Sequence, residues 1–190
     1  MIANNNVQVE LKSFIHVVTP PLNYVTPQVH SCYEIVFYFS GNGKTSIDGN
    51  LYDFNAGDIA IIEPETVHDE LCNTGSEIYC CLFTFEGSLQ LKNGLYSLRH
   101  LDNYREILDP IVQLFRQIKS EMFQKQFAYE LVLDFLMGQL LVSICRIHSR
   151  IRSSSDGIEY VKMYIKENYT RRLNFQILAD HVGYSSDRLR

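Results

Sequence analysis

Between about residues 10 and 86 the chain is cut into short apolar runs by turn-forming clusters, and this constrains its fold more than any other feature. The runs 31–39, 59–63 and 77–85 are rich in Ile, Val, Phe and Tyr. They are separated by Ser40-Gly41-Asn42-Gly43, Asp48-Gly49-Asn50 and Asn55-Ala56-Gly57-Asp58. Asp-Gly between two apolar runs predicts a hairpin, because a type I′ turn needs positive φ at both central residues. Many short strands at this spacing predict an all-β barrel or sandwich.

From about residue 102 to 149 the period changes. Ile107, Ile111, Leu114, Phe115 and Ile118 recur every three or four residues and predict one amphipathic helix. In the next helix, about 126–149, apolar residues cover nearly the whole circumference, so it must be buried on several sides. Leu133, Met137, Leu140 and Leu141 are then candidates for a homodimer interface built on this helix. Ser153-Ser154-Ser155-Asp156-Gly157 reads as a linker, with Asp156 as an N-cap. The expected class is α+β: an all-β barrel over 1–100, a helical dimerisation region over 101–152, and a small helical unit over 153–190.

Charge and cysteine content narrow the function. Apolar residues make up 46% and charged residues 21%, as in a globular chain. The net charge of −5 argues against nucleic-acid binding by the whole chain. Residues 151–190 nevertheless hold 7 Lys/Arg against 5 Asp/Glu, so a DNA contact would belong to that end. No secretory signal and no apolar run near 20 residues is present, which predicts a cytoplasmic protein without a membrane partner. The cysteines Cys32, Cys72, Cys80, Cys81 and Cys145 form no CxxC pair and read as reduced thiols.

The tail is the most informative stretch. Leu178, Ala179 and Val182 share a helix face, Gly183 suits a tight helix-to-helix turn, and Ser185 suits an N-cap. The order L-x-x-L-A-x-x-V-G-Y-S-x-x-x-L resembles the first helix-turn-helix unit of the AraC/XylS family of transcription regulators, and residues 158–169 resemble that domain's opening helix. The resemblance implies a cupin-like sensing barrel, dimerising helices and a DNA-binding domain. Ser186, Asp187 and Arg190 match early recognition-helix positions, where Arg reads guanine and Asp accepts from cytosine. The residues given end inside that helix, so tight specific DNA binding is not expected of them alone. The resemblance also implies that the segment 15–29, with Pro20, Pro21 and Pro27, is an arm closing over the barrel mouth.

The barrel carries two segments that resemble cupin motifs, one from His30 to Gly41 and one from Gly57 to His68. Aligned on Glu34 and Gly41, they put Gln28, His30, Glu34 and His68 at the four ligand positions of metal-binding cupins. Imidazole and carboxylate at these spacings suit a divalent metal. They also suit a polar pocket without metal, which the resemblance to sensing domains favours. Strand alternation gives Cys32, Val36 and Tyr38 the parity of His30 and Glu34. The expected effector site is therefore His30, Glu34, Tyr38 and His68, with a small molecule such as a sugar as partner and no cofactor. Ser40-Gly41-Asn42-Gly43-Lys44-Thr45 has the look of a phosphate-binding loop, but it lacks the first glycine and the following helix. The leading expectation is a ligand-responsive regulator without enzymatic activity. The alternative is a metal-dependent cupin enzyme, a dioxygenase or isomerase.

Overall fold

A computed structural model describes residues 8–89, 91–99 and 104–153, together with 161–162, 164–166, 176 and 178–179. Nine strands and two helices follow in order among these residues: β1 (Gln8–Thr19), β2 (Asn23–Gln28), β3 (Tyr33–Ser40), β4 (Asn42–Ile47), β5 (Asn50–Asn55), β6 (Ile59–Ile62), β7 (His68–Cys72), β8 (Ser76–Glu86), β9 (Gly94–Tyr96), α1 (Tyr104–Gln124) and α2 (Tyr129–Ser153). The strands form a five-stranded sheet, β1-β8-β3-β6-β9, and a four-stranded sheet, β2-β7-β4-β5. Every pairing is antiparallel.

The predicted hairpin joins β4 to β5. Ile47 pairs with Asn50, and the two loop residues have φ of 52° at Asp48 and 73° at Gly49, as a type I′ turn requires. The neighbouring Gly43 lies within β4 rather than in a phosphate loop. A Cβ there would run into the Leu71 carbonyl and the Phe54 ring, so the glycine serves close strand packing.

β3 explains why the run 31–39 shows no polar face. Its odd residues Ile35 and Phe37 join a core with Phe115, Ile118, Met137 and Leu141 of the helices. Its even residues Val36 and Tyr38 join a second core between the sheets, with Ile47, Phe54 and Cys72. The strand is thus buried on both sides. Phe37 stacks on Phe115 at 5.0 Å between centroids, which fixes α1 against the five-stranded sheet.

The segment 15–29 is not an arm over the mouth. It forms part of β1, which pairs with β8, and β2, which pairs with β7, and so carries the chain from one sheet to the other. The corner lies at residues 20–22, where Leu22 takes φ of 60°. Pro27 is accommodated because β2 is an edge strand with an irregular register there.

The helices also differ from expectation. The stripe Ile111, Leu114, Phe115 and Ile118 is buried along α1 as predicted. On α2, however, Leu133 is 4% exposed and Met137, Leu140 and Leu141 are fully buried, all within the core of their own chain. They are not available as a dimer interface. α2 lies on β1, where the Leu11 amide donates to Asp134 Oδ1 at 3.1 Å. The exposed apolar residues of the helical layer are instead Phe123, Phe127, Leu131, Val132 and Phe135. Farther on, Val161 and Leu178 form a small buried cluster with Tyr164 and Ile165. Ser186, Asp187 and Arg190 lie outside the described residues. Among the described residues no helix is long and apolar enough to cross a membrane.

Candidate functional site

Two sheets facing each other bring residues far apart in sequence to one point between them. Glu34 points inward from the start of β3, and His68 from the start of β7 in the opposite sheet. His30 precedes β3, where its carbonyl accepts from the Glu65 amide at 2.7 Å. That bond ties the loop before β7 to the loop before β3. Asn93 strengthens the tie by accepting from the Glu63 amide at 2.7 Å and donating to Thr66 Oγ1 at 3.1 Å.

The result is a compact cluster. Glu34 Oε2 lies 3.0 Å from His68 Nε2 and 3.4 Å from His30 Nε2, and the two imidazole rings are 5.1 Å apart. Glu34 and His68 are buried, while His30 is half-buried and opens the cluster outward. His68 Nδ1 lies 3.1 Å from the Thr66 carbonyl oxygen, which only a protonated Nδ1 can satisfy. Burial pulls the His68 pKa down, but the Glu34 carboxylate and the Thr66 carbonyl outweigh it and raise the value above 6.5. Although the Glu34–His68 separation is of hydrogen-bond length, Glu34 Oε2 is enclosed and has no aligned donor. At 3.0 Å the two groups attract strongly, and it is this contact that chiefly raises the His68 pKa.

One ligand-type atom from each of His30, Glu34 and His68 lies within 4.8 Å of the others. This set fits a divalent cation: two imidazole nitrogens and one carboxylate, with His68 oriented through Nδ1 by a carbonyl. Gln28 pairs in register with His68 but is exposed. The same atoms equally fit a polyhydroxylated molecule, since they supply strong acceptors and an imidazole donor in a partly apolar enclosure.

Tyr38 does not join the cluster directly. It shares the inward face of β3, but its ring lies flat on Phe54 at 3.8 Å and is fully buried. Its hydroxyl has no hydrogen bond of good geometry. Burial, reinforced by the charge of Glu70, pushes its pKa well above 10. Tyr38 therefore belongs to a deeper level of the interior, alongside Glu70.

Glu70 was not singled out by the motifs. It has the parity of His68 along β7, which was the signal available. Its carboxyl is pushed above 4.5, chiefly by burial, and it accepts from Cys72 Sγ at 3.4 Å. Cys80 faces the same space, paired in register with Val36, and burial and the Glu34 charge raise its thiol pKa well above 9. Both Glu70 and Cys80 keep some accessible surface although they point between the sheets.

No curated protein matches the chain. Among solved structures, an RmlC-like cupin from Shewanella frigidimarina is similar at 14% identity and TM-score 0.37, over 44% of this chain and 86% of that one. A predicted oxalate decarboxylase from Thermotoga maritima is similar at 20% identity and TM-score 0.38, over 41% and 80%. A protein of unknown function from Streptococcus pyogenes is similar at 13% identity and TM-score 0.38, over 46% and 82%. The family model for the AraC-like ligand binding domain matches residues 11–141, from β1 through most of α2. The chain therefore belongs to the AraC-like ligand-binding domain family.

Proposed function

We propose that the chain is the effector-sensing portion of a DNA-binding transcription regulator, and that its effector is a small polyhydroxylated molecule of sugar type held between the sheets. The observation that carries this reading is the convergence of His30, Glu34 and His68 on one point between the sheets, with His30 opening outward. Glu34 and His68 fix the orientation of the effector, His30 stands at the entrance, and Glu70 meets its far end, with Tyr38 packed on Phe54 behind it. Residues 153–190 supply the start of the DNA-binding unit, with Ser186, Asp187 and Arg190 toward the major groove. The buried pair Leu178 and Ala179 supports that assignment. Two copies associate through the exposed face of Phe127, Leu131 and Phe135. The effector acts by binding one arrangement of barrel and helices better than another, so that the population shifts.

A thermal-shift panel of pentoses, hexoses and small hydroxy acids tests this reading. At least one compound is expected to raise the unfolding temperature by several degrees at 100 times its Kd, where ligand linkage contributes about 2.7 kcal/mol. Glu34→Gln and His68→Gln are each expected to weaken that compound about tenfold or more, as loss of a charge-assisted hydrogen bond does. A panel without any stabilising compound, or an effect untouched by both variants, rejects the site.

A second reading is favoured by the ligand geometry itself: a cupin enzyme in which His30, Glu34 and His68 hold a divalent metal. The metal would supply Lewis-acid or redox chemistry at its open positions. Running the panel with and without a chelator separates the two. Stabilisation that vanishes with the chelator supports the metal reading, and stabilisation that persists supports the metal-free sensor.

A further inference from the structure

Outside the barrel, α1 and β1 border an open surface cavity of about 520 Å³, within the range of small-molecule sites. It shares no residue with the His30–Glu34–His68 cluster. Phe14, Met122 and Phe123 give it apolar walls, while Arg116 and Lys119 bring two cations to it from one face of α1. Phe123 is 91% exposed, an aromatic surface in water with no intrachain cover.

The two cations are poised for an anion. The Arg116 guanidinium lies over the Phe39 ring at 5.7 Å, and the Lys119 ammonium over the Tyr79 ring at 5.8 Å. Among the described residues neither is paired with a carboxylate in a salt bridge. The neighbouring acid, Glu77, already accepts from His16 Nε2 at 2.9 Å and from the Tyr79 hydroxyl at 3.0 Å. Contact with a ring face leaves donors of each cation unused, and the planar fork of arginine matches a carboxylate. The cavity thus carries an excess of positive charge on a chain of net charge −5.

We propose that this cavity is a second ligand site, specific for an aromatic carboxylate, with the ring against Phe14, Met122 and Phe123 and the carboxylate on Arg116 and Lys119. Because the site is built on α1, and Phe115, one turn from Lys119 on the same helix, packs on Phe37 of the barrel, occupation would bear on the same helical layer that the barrel effector acts on.

Calorimetric titration of the full chain with 2-naphthoate and its neutral isostere 2-naphthamide tests the proposal. The carboxylate is expected to bind about tenfold tighter or more, the margin a charge-assisted bond gives. Arg116→Gln combined with Lys119→Gln should abolish that preference. Both side chains are exposed, so the double variant keeps its fold, which circular dichroism verifies. Phe123→Ala should weaken both probes alike. The preference should survive Glu34→Gln, which distinguishes this site from the barrel. Equal affinity for the two probes, no binding of 2-naphthoate at millimolar concentration, or a preference lost in Glu34→Gln but kept in the double variant would each overturn it.

Discussion

Met137→Glu is expected to leave no folded protein, whereas Phe135→Glu, two residues away on the same helix, is expected to fold normally. Met137 is fully buried between α1, α2 and the five-stranded sheet. Truncating such a side chain costs about 2–5 kcal/mol, and an unpaired carboxylate in its place costs more. That exceeds or rivals the whole stability of a domain, roughly 5–15 kcal/mol. Phe135 is 69% exposed, so its replacement changes stability by about 0.5 kcal/mol or less. On the proposed association, Phe135→Glu also converts dimer to monomer in sedimentation at micromolar concentration. A soluble, cooperative Met137→Glu monomer would contradict the packing of α2 against its own barrel. A wild-type monomer would remove the dimer.

Arg99→Ala is expected to destabilise the fold by about 2–3 kcal/mol at pH 8, somewhat below the usual cost of breaking a buried pair because Arg99 is partly hydrated. Asp58 is fully buried after the turn that follows β5, and its Oδ2 accepts from the Asn55 amide at 2.8 Å. Arg99, just beyond β9, donates through Nε to Oδ1 at 3.3 Å and through Nη2 to Oδ2 at 3.4 Å. Burial raises the Asp58 pKa above 3.8, with Arg99 the strongest influence opposing the rise. A carboxyl whose folded pKa is raised penalises folding fully above that pKa, and the penalty fades as pH falls from the folded toward the unfolded value. Without Arg99 the folded pKa climbs further, so the penalty is largest at pH 8 and shrinks as Asp58 takes up a proton toward pH 5. Urea unfolding of both proteins at the two pH values measures this. A loss equal at both, or larger at pH 5, would show that Arg99 acts through packing rather than through the Asp58 charge.

The parts of the structure that were legible in the sequence are those governed by local rules. Asp48-Gly49 specifies its turn through backbone φ alone, and the parity of β3 separates Glu34, Val36 and Tyr38 from Ile35 and Phe37 without reference to any other strand. The spacing of Ile111, Leu114, Phe115 and Ile118 does the same for α1. Harder to read were features decided by what packs across. Leu133, Met137 and Leu141 are apolar on any account, but periodicity does not say whether a sheet or a second subunit covers them. The prolines at 20, 21 and 27 suggested an arm, yet two proline positions make a corner between sheets and the third sits on an edge strand. Tyr38 has the right parity but lies four residues from Glu34 along an extended strand, roughly 13 Å at 3.3 Å per residue. Parity gives the face and not the depth. Glu70 was missed for another reason: it belongs to no motif, and its parity with His68 points inward only once the residues from 68 to 72 are known to form the strand β7.

On the proposed reading the small-molecule site lies between the sheets at His30, Glu34 and His68. The most direct test is a long-range ¹H–¹⁵N spectrum of the histidine side chains, recorded with and without the best stabilising compound from the panel. His16 reports on the alternative site, since it lies outside the barrel beside Tyr79, 4.7 Å between ring centroids, and lines the cavity on α1. The account predicts that the imidazole resonances of His30 and His68 move on saturation while those of His16 stay in place. Movement of His16 alone, or of none of the three, would contradict it.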